Sequence, residues 1–364
     1  MENKMKRVSG LIILFAICMS LWFMGCSDNN GTDPEPETEH YIGWVVGSEV
    51  GGFALIYHTE NSGTTWTRQG DASQITTSSL QDIAAVSKNI AWAVGIASDG
   101  YAAILKTTNG GVTWVRKGSP ANLPNIELAG VDAFDDQTAW AAGDSGVIIK
   151  TTDGGETWTN ISSDIPNTIF FGMIDALDEN TLWVGGGDSN DSMHVVYKTT
   201  DGGATWTNAL EGWFPGIQNY AIIDIAAFDD NIVWAVGSGA GAYVTSDGGQ
   251  TWTDTEVPMA WYHVNGVSPV SADIAFIACD NDNVYKTTDR GATWVRQTCV
   301  TDSLAGFGEF MGITNIDPNI AWMVSADVNG GQIFNTLDGG ENWNVQLFQT
   351  NGIFRRVSFV GDLK

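Results

Sequence analysis

Seven times this chain returns to one octet: a Thr, usually an Asp two residues on, a Gly two further, and a closing Trp. The octet begins at Thr59, Thr107, Thr151, Thr199, Thr245, Thr287 and Thr336 and ends at Trp66, Trp114, Trp158, Trp206, Trp252, Trp294 and Trp343. Those tryptophans are 48, 44, 48, 46, 42 and 49 residues apart. That period is the length of a four-stranded propeller blade, not of a helical repeat. The fold class it predicts is all-β, and it leaves few unusual residues over for chemistry.

A second marker travels with the first. Gly43-Trp44-Val45-Val46-Gly47, Ala91-Trp92-Ala93-Val94-Gly95 and Ala139-Trp140-Ala141-Ala142-Gly143 lie 22, 22 and 18 residues before their octet Trp, and further copies centre on Trp183, Trp234, Phe276 and Trp322. Small and β-branched residues between turn-formers read as a buried strand. About ten residues earlier stands another short apolar run, such as Asp82-Ile83-Ala84-Ala85-Val86 or Asp224-Ile225-Ala226-Ala227-Phe228. The predicted unit is therefore an inner strand, a tight polar turn, the Trp strand, a variable loop, a third strand, the octet turn and an outer strand.

The first repeat starts at Tyr41 on its Trp strand, with no inner strand before it, whereas Phe354 to Val360 follow the last repeat and match the inner-strand pattern. Placing that tail as the innermost strand of the first blade closes a seven-bladed β-propeller over residues 41–364, because no ring edge then stays open.

The octet resembles the Asp-box of bacterial neuraminidase-type (BNR) repeats. The fuller unit from Ala139 to Trp158 resembles the photosystem II stability and assembly factor family. The resemblance implies a seven-bladed, non-catalytic propeller that binds a protein or glycan. Asp-boxes are shared by sialidases, xyloglucanases, sorting receptors and assembly factors, so the motif marks a fold more than a reaction. Turn chemistry explains its residues: the Asp accepts turn amides, the Gly supplies a backbone conformation that other residues avoid, and the Trp covers the corner. Asn61 and Asn109 replace the acid with an equally short acceptor.

At the N-terminus, Lys4, Lys6 and Arg7 precede 18 uncharged, mostly apolar residues from Val8 to Gly25, then Cys26 and a polar run. This reads as an export signal over residues 1–25. Phe23-Met24-Gly25-Cys26 resembles a bacterial lipobox, which implies lipidation of Cys26; the alternative is an uncleaved membrane helix of just spanning length. Residues 26–40 are then a polar, acidic linker holding the propeller off the membrane. The expected location is the cell envelope, with a lipid anchor as the one membrane contact.

The formal net charge is −27. Without residues 1–25 the chain keeps 13 Lys plus Arg against 42 Asp plus Glu, a charge near −29. Such a surface disfavours nucleic acid. A monomer with no cofactor is expected. Cys279 and Cys299 share the sixth repeat, and their pairing is left open by strand spacing. Asp188, Asn190 and Asp191, and separately Asp280 and Asp282, make oxygen-rich loops without an EF-hand pattern, so no metal site is assigned.

Variable loops on the face opposite the octet turns are where binding residues collect. Two tryptophans that the repeat does not use, Trp213 and Trp261, fall there with Tyr220, Tyr262 and His263, and Glu309 is the nearest carboxylate. Stacking aromatics with a polar rim suit sugar rings or an extended peptide. Near the starts of the inner strands Asp82, Glu127, Asp224 and Glu309 ring the channel mouth with Arg355 and Arg356, and an Asp82–Arg356 ion pair is expected between neighbouring blades. Paired carboxylates in such a place could serve glycoside hydrolysis. A sialidase needs an arginine cluster, yet Arg68, Arg116 and Arg296 fall on outer strands. Two readings follow: a non-catalytic propeller binding a protein or glycan at the envelope, or a glycoside hydrolase using the mouth carboxylates.

Overall fold

The computed structural model describes residues 40–49, 53–71, 75, 77–97, 99–119, 121–189, 193–211, 221–259, 262–297 and 308–361. Among these there is no α-helix. The strands are β1 (Tyr41–Glu49), β2 (Leu55–Thr59), β3 (Thr67–Arg68), β4 (Thr77–Ala85), β5 (Ala91–Ala97), β6 (Ala102–Thr107), β7 (Val115–Arg116), β8 (Leu128–Ala133), β9 (Ala139–Gly143), β10 (Ile148–Thr151), β11 (Thr159–Asn160), β12 (Ile169–Ala176), β13 (Leu182–Asp188), β14 (Met193–Thr199), β15 (Thr207–Asn208), β16 (Ile222–Ala227), β17 (Val233–Gly237), β18 (Ala242–Thr245), β19 (Thr253–Asp254), β20 (Val264–Pro269), β21 (Ala275–Cys279), β22 (Asn283–Thr287), β23 (Val295–Arg296), β24 (Glu309–Asn315), β25 (Ala321–Asp327), β26 (Gly330–Thr336), β27 (Asn344–Gln349) and β28 (Gly352–Gly361).

From β8 to β27 each run of four consecutive strands forms its own antiparallel sheet, five in all. The remaining strands form one eight-stranded sheet, because the nine-residue β1 and β4 reach each other at Ser48 and Ser79. The expected C-terminal closure is present. β28 pairs antiparallel with β1 from Tyr41–Gly361 to Glu49–Gly352, burying Phe354 and stacking Phe359 on Trp322 at 3.7 Å. The sheets are arranged as a propeller, with β4 against β8, β8 against β12, β12 against β16, β16 against β20, β20 against β24, β24 against β28 and β28 against β4. Inner strands approach so closely that a Cβ on Gly130 would lie 2.8 Å from the Ile174 main-chain nitrogen.

Each octet turn closes its own bonds. In the third, Asp153 accepts the Thr157 N–H at 2.9 Å and the Thr151 hydroxyl at 2.8 Å, while Thr151 Oγ1 accepts the Gly155 N–H at 2.9 Å. Gly155 has φ +87°, a value that side chains with a Cβ rarely adopt. The closing Trp does more than cover its corner. Trp158 meets Trp92 of the preceding sheet edge-on at 6.0 Å, and Trp252 and Trp294 meet Trp183 and Trp234 in the same way. The third strands add lysines that tie neighbouring sheets: Lys198 lies 4.6 Å over the Trp183 ring and donates to Gly248 O of the next sheet at 2.9 Å. Lys106 and Lys286 repeat this over Trp92 and Phe276. These three junctions are thus apolar, each with a cation–π contact and with carbonyls of the next sheet satisfied by the same lysine.

Candidate functional site at the channel mouth

Inner strands of a propeller splay apart around the axis, so their channel-facing N–H groups have no strand partner and need another acceptor. The chain supplies side chains. Asp82 of β4 accepts the Val131 N–H of β8 at 2.8 Å, Asp132 accepts Ala176 N–H at 2.9 Å, Asp175 accepts Ala227 N–H at 2.6 Å and Asp224 accepts Val267 N–H at 2.8 Å. Ser268 and Ser358 do the same for Asn315 and Ala85. Six successive junctions are bridged in this way. The acceptor occupies either of two levels. Asp132 and Asp175 stand opposite the strand tryptophans Trp140 and Trp183, whereas Ala84 and Ala226 hold that place in β4 and β16 and the acid sits two residues earlier, as Asp82 and Asp224.

These groups line an axial cavity of about 200 Å³ to which β4, β8, β12, β16, β20, β24 and β28 all contribute. Burial raises the Asp82 carboxyl to about 7 and that of Asp224 to about 6, against the pull of Arg356. The expected Asp82–Arg356 ion pair is not formed. Arg356 instead reaches across the axis, donating to the carbonyls of Met311, Asn265 and, at 3.4 Å, Ile223. Bulges in the inner strands turn those carbonyls toward the axis, so a guanidinium with five donors plugs the channel there. The acids Asp132 and Asp175 were not singled out by the sequence. Their signal was an Asp inside an otherwise apolar inner-strand run.

The four candidate carboxylates separate into two pairs. Asp82 and Asp224 are buried in the cavity. Glu127 and Glu309 lie at the mouth and both act on Arg355, whose ionisation burial lowers and these two acids raise. Glu127 accepts from Gln81, and Glu309 is exposed, its main chain forming an isolated antiparallel β-bridge with that of Asp280. Beside it, Asp280 accepts the His263 N–H at 2.9 Å and Asn265 Nδ2 at 2.8 Å. Tyr262 is 43% exposed and His263 is exposed as well. The structure adds Phe170 at 37%, on β12 directly before the buried Phe171, at the register position that Glu309 holds before Phe310 in β24. Trp213, Tyr220 and Trp261 lie outside the described residues, as do Cys26, Asn190, Asp191 and Cys299. Cys279 is buried and forms no disulfide among the described residues. Among them no three His, Cys, Asp or Glu side chains are grouped to hold a metal ion. Arg68, Arg116 and Arg296 stand on the outer strands β3, β7 and β23 as expected.

Sheets around an axial channel, closed by Thr-Asp-Gly-Trp turns in which Asn61 and Asn109 twice stand for the acid, define an Asp-box β-propeller. The chain belongs to the photosynthesis system II assembly factor YCF48 family, whose sequence profile matches residues 71–221 and 217–360. Among solved structures, YCF48 bound to D1 peptide is 16% identical, covers 79% of this chain and 93% of its own, and superposes with a TM-score of 0.58. YCF48 from Cyanidioschyzon merolae is 19% identical over 81% of this chain and 95% of its own, TM-score 0.59. The GH74 xyloglucanase from Xanthomonas campestris is 13% identical over 84% of this chain, TM-score 0.62, and the chain spans 56% of that enzyme. At these identities the likeness is one of fold. No curated protein sequence matches the chain.

Proposed function

We propose that the chain is an exported bacterial lipoprotein whose seven-bladed, non-catalytic propeller binds a protein partner at the cell envelope through the channel mouth. Seven octets in the sequence and seven inner strands around one cavity support the blade count, with the eight-stranded sheet read as two blades touching at Ser48 and Ser79. Residues 1–25 are read as the signal, Cys26 as the lipidated residue and 26–40 as the linker to a propeller of residues 41–364.

The observation that carries the binding role is the contrast between channel and mouth. Asp82 and Asp224 are engaged by backbone N–H groups in a cavity of about 200 Å³, below the roughly 300 Å³ at which small-molecule pockets begin. Tyr262, His263, Phe170 and Glu309 are instead exposed on the face opposite the octet turns, and Trp213, Tyr220 and Trp261 are read as part of the same surface. A YCF48 structure carries a D1 peptide, which supports a protein rather than a glycan as the partner. The test is a photo-crosslinking amino acid placed at Tyr262 in intact cells, with Glu156 on the opposite face as control. A discrete envelope protein captured from Tyr262 alone is expected; equal capture from both positions, or none, would sink the reading.

The alternative is a glycoside hydrolase. Its support is the GH74 likeness and the mouth pair of half-buried Glu127 and exposed Glu309. Sugar release from xyloglucan that disappears in Glu127→Gln and Glu309→Gln would favour it.

A further inference from the structure

Six outer strands are cut short and one is not. β3, β7, β11, β15, β19 and β23 have two residues each, whereas β27 has six. Short edges and charged side chains keep sheet edges from pairing with other chains. β27 has neither protection: Asn344-Val345-Gln346-Leu347-Phe348-Gln349 carries no charge, while β3, β7 and β23 each end in an arginine. Val345 is 42% and Phe348 47% exposed. The pairing of β27 with β26 skips Gln346 between Ile333 and Phe334. That extra residue shifts the alternation, so Val345 and Phe348 share a face although three apart. The edge is also rigid, since Gln349 accepts from Tyr57 Oη at 2.6 Å and Gln346 accepts from Trp66 Nε1 at 3.3 Å.

From this edge we infer that the chain forms a twofold dimer in which β27 pairs antiparallel with β27 of a second copy. The strand is complementary to itself. With the axis between Gln346 and Leu347, Val345 faces Phe348 of the other copy, Phe348 faces its Val345, and Asn344 faces Gln349. Apolar cross-strand pairs of this kind stabilise a ladder, and a twofold contact repeats each pair. β27 carries no charged residue, so no acid faces an acid within this ladder. The formal charge of −27 on each copy opposes association, but charges beyond about 8 Å are screened at physiological ionic strength. The dimer therefore strengthens with salt, the reverse of an ionic interface. The inference departs from the expected monomer, and it does not depend on what the mouth binds.

The test is the light-scattering mass of the full chain in detergent micelles, which keep residues 8–25 from associating, with the detergent mass subtracted. At about 100 μM, above the roughly micromolar dissociation constants at the weak end of protein interfaces, the expected mass is twice 39.0 kDa, and the dimer fraction rises with salt. Val345→Lys with Phe348→Lys should return the mass to 39.0 kDa without moving the melting temperature. If lysine impairs folding, Val345→Thr with Phe348→Thr should weaken the dimer about tenfold through loss of the apolar pairs. A monomeric wild type, or a dimer that survives in a folded double variant, overturns the inference.

Discussion

The carboxylate of Asp82 and the main-chain N–H of Val131 meet at 2.8 Å across two inner strands that share no ladder of their own. The acid is buried, and its proton affinity is raised by that burial while its oxygen is fixed by its neighbour's backbone. What reads in sequence as a channel acid is a joint between sheets.

Asp82→Ala should cost about 1–3 kcal/mol, because the Val131 N–H is left buried without an acceptor. Asp82→Asn keeps an acceptor oxygen and should cost less. Chemical denaturation at pH 5, where the Asp82 carboxyl is protonated, separates the two. Equal losses would show that the bond to Val131 is immaterial.

Stability should also depend on pH through this group and Asp224. Both have folded values, about 7 and about 6, above the ordinary 3.8. Their contribution is full below about pH 4 and is lost as the pH rises through 6 and 7. The octet acids act in the opposite direction. Asp153 and Asp201 are held at about 2, chiefly by bonds from Thr157 and Thr205, and stabilise above about pH 4 but not as the pH falls through 2. Thermal melts should peak on the acid side of neutrality. The fall in melting temperature from pH 5 to pH 8 should shrink by about 3 °C in Asp82→Asn; an unchanged slope would remove the argument.

In the octet, Thr151→Val should be more damaging than Asp153→Asn. The buried Thr151 hydroxyl accepts the Gly155 N–H and donates to Asp153. Its loss orphans a turn amide at about 1–2 kcal/mol, whereas Asn61 and Asn109 already perform the acid's role: each accepts the N–H four residues on, at 2.9 and 3.0 Å. Urea midpoints of the two variants check the order.

Deleting residues from 352 onward should abolish a single cooperative transition, since β1 would keep β2 but lose its inner neighbour, and Trp322 its stacked ring, Phe359. Phe359→Ala in the intact chain should cost about 3 kcal/mol as a large-to-small core change. A truncated chain that melts like the whole one would make the closing strand dispensable.

Cys26→Ser should abolish incorporation of labelled fatty acid and release the propeller from the membrane fraction, because the linker and acidic domain have no other attraction to lipid. Retention of the variant in membranes would favour the uncleaved helix instead.

The repeat made most of the architecture legible because its bonds are local. Thr151, Asp153, Gly155 and Thr157 satisfy one another within seven residues, so the octet has the same meaning wherever it stands. Closure was legible too, as the tail from Phe354 to Val360 matched a missing strand. Contacts between sheets were not. The two levels of channel acids, the reach of Arg356 to Asn265 and Met311, and the edge-on approach of Trp158 to Trp92 join residues tens of positions apart. An aspartate in an apolar run looks the same whether it faces a substrate or a neighbour's N–H. The distance between inner strands around the axis decides between them, and that distance exists only once the ring has closed.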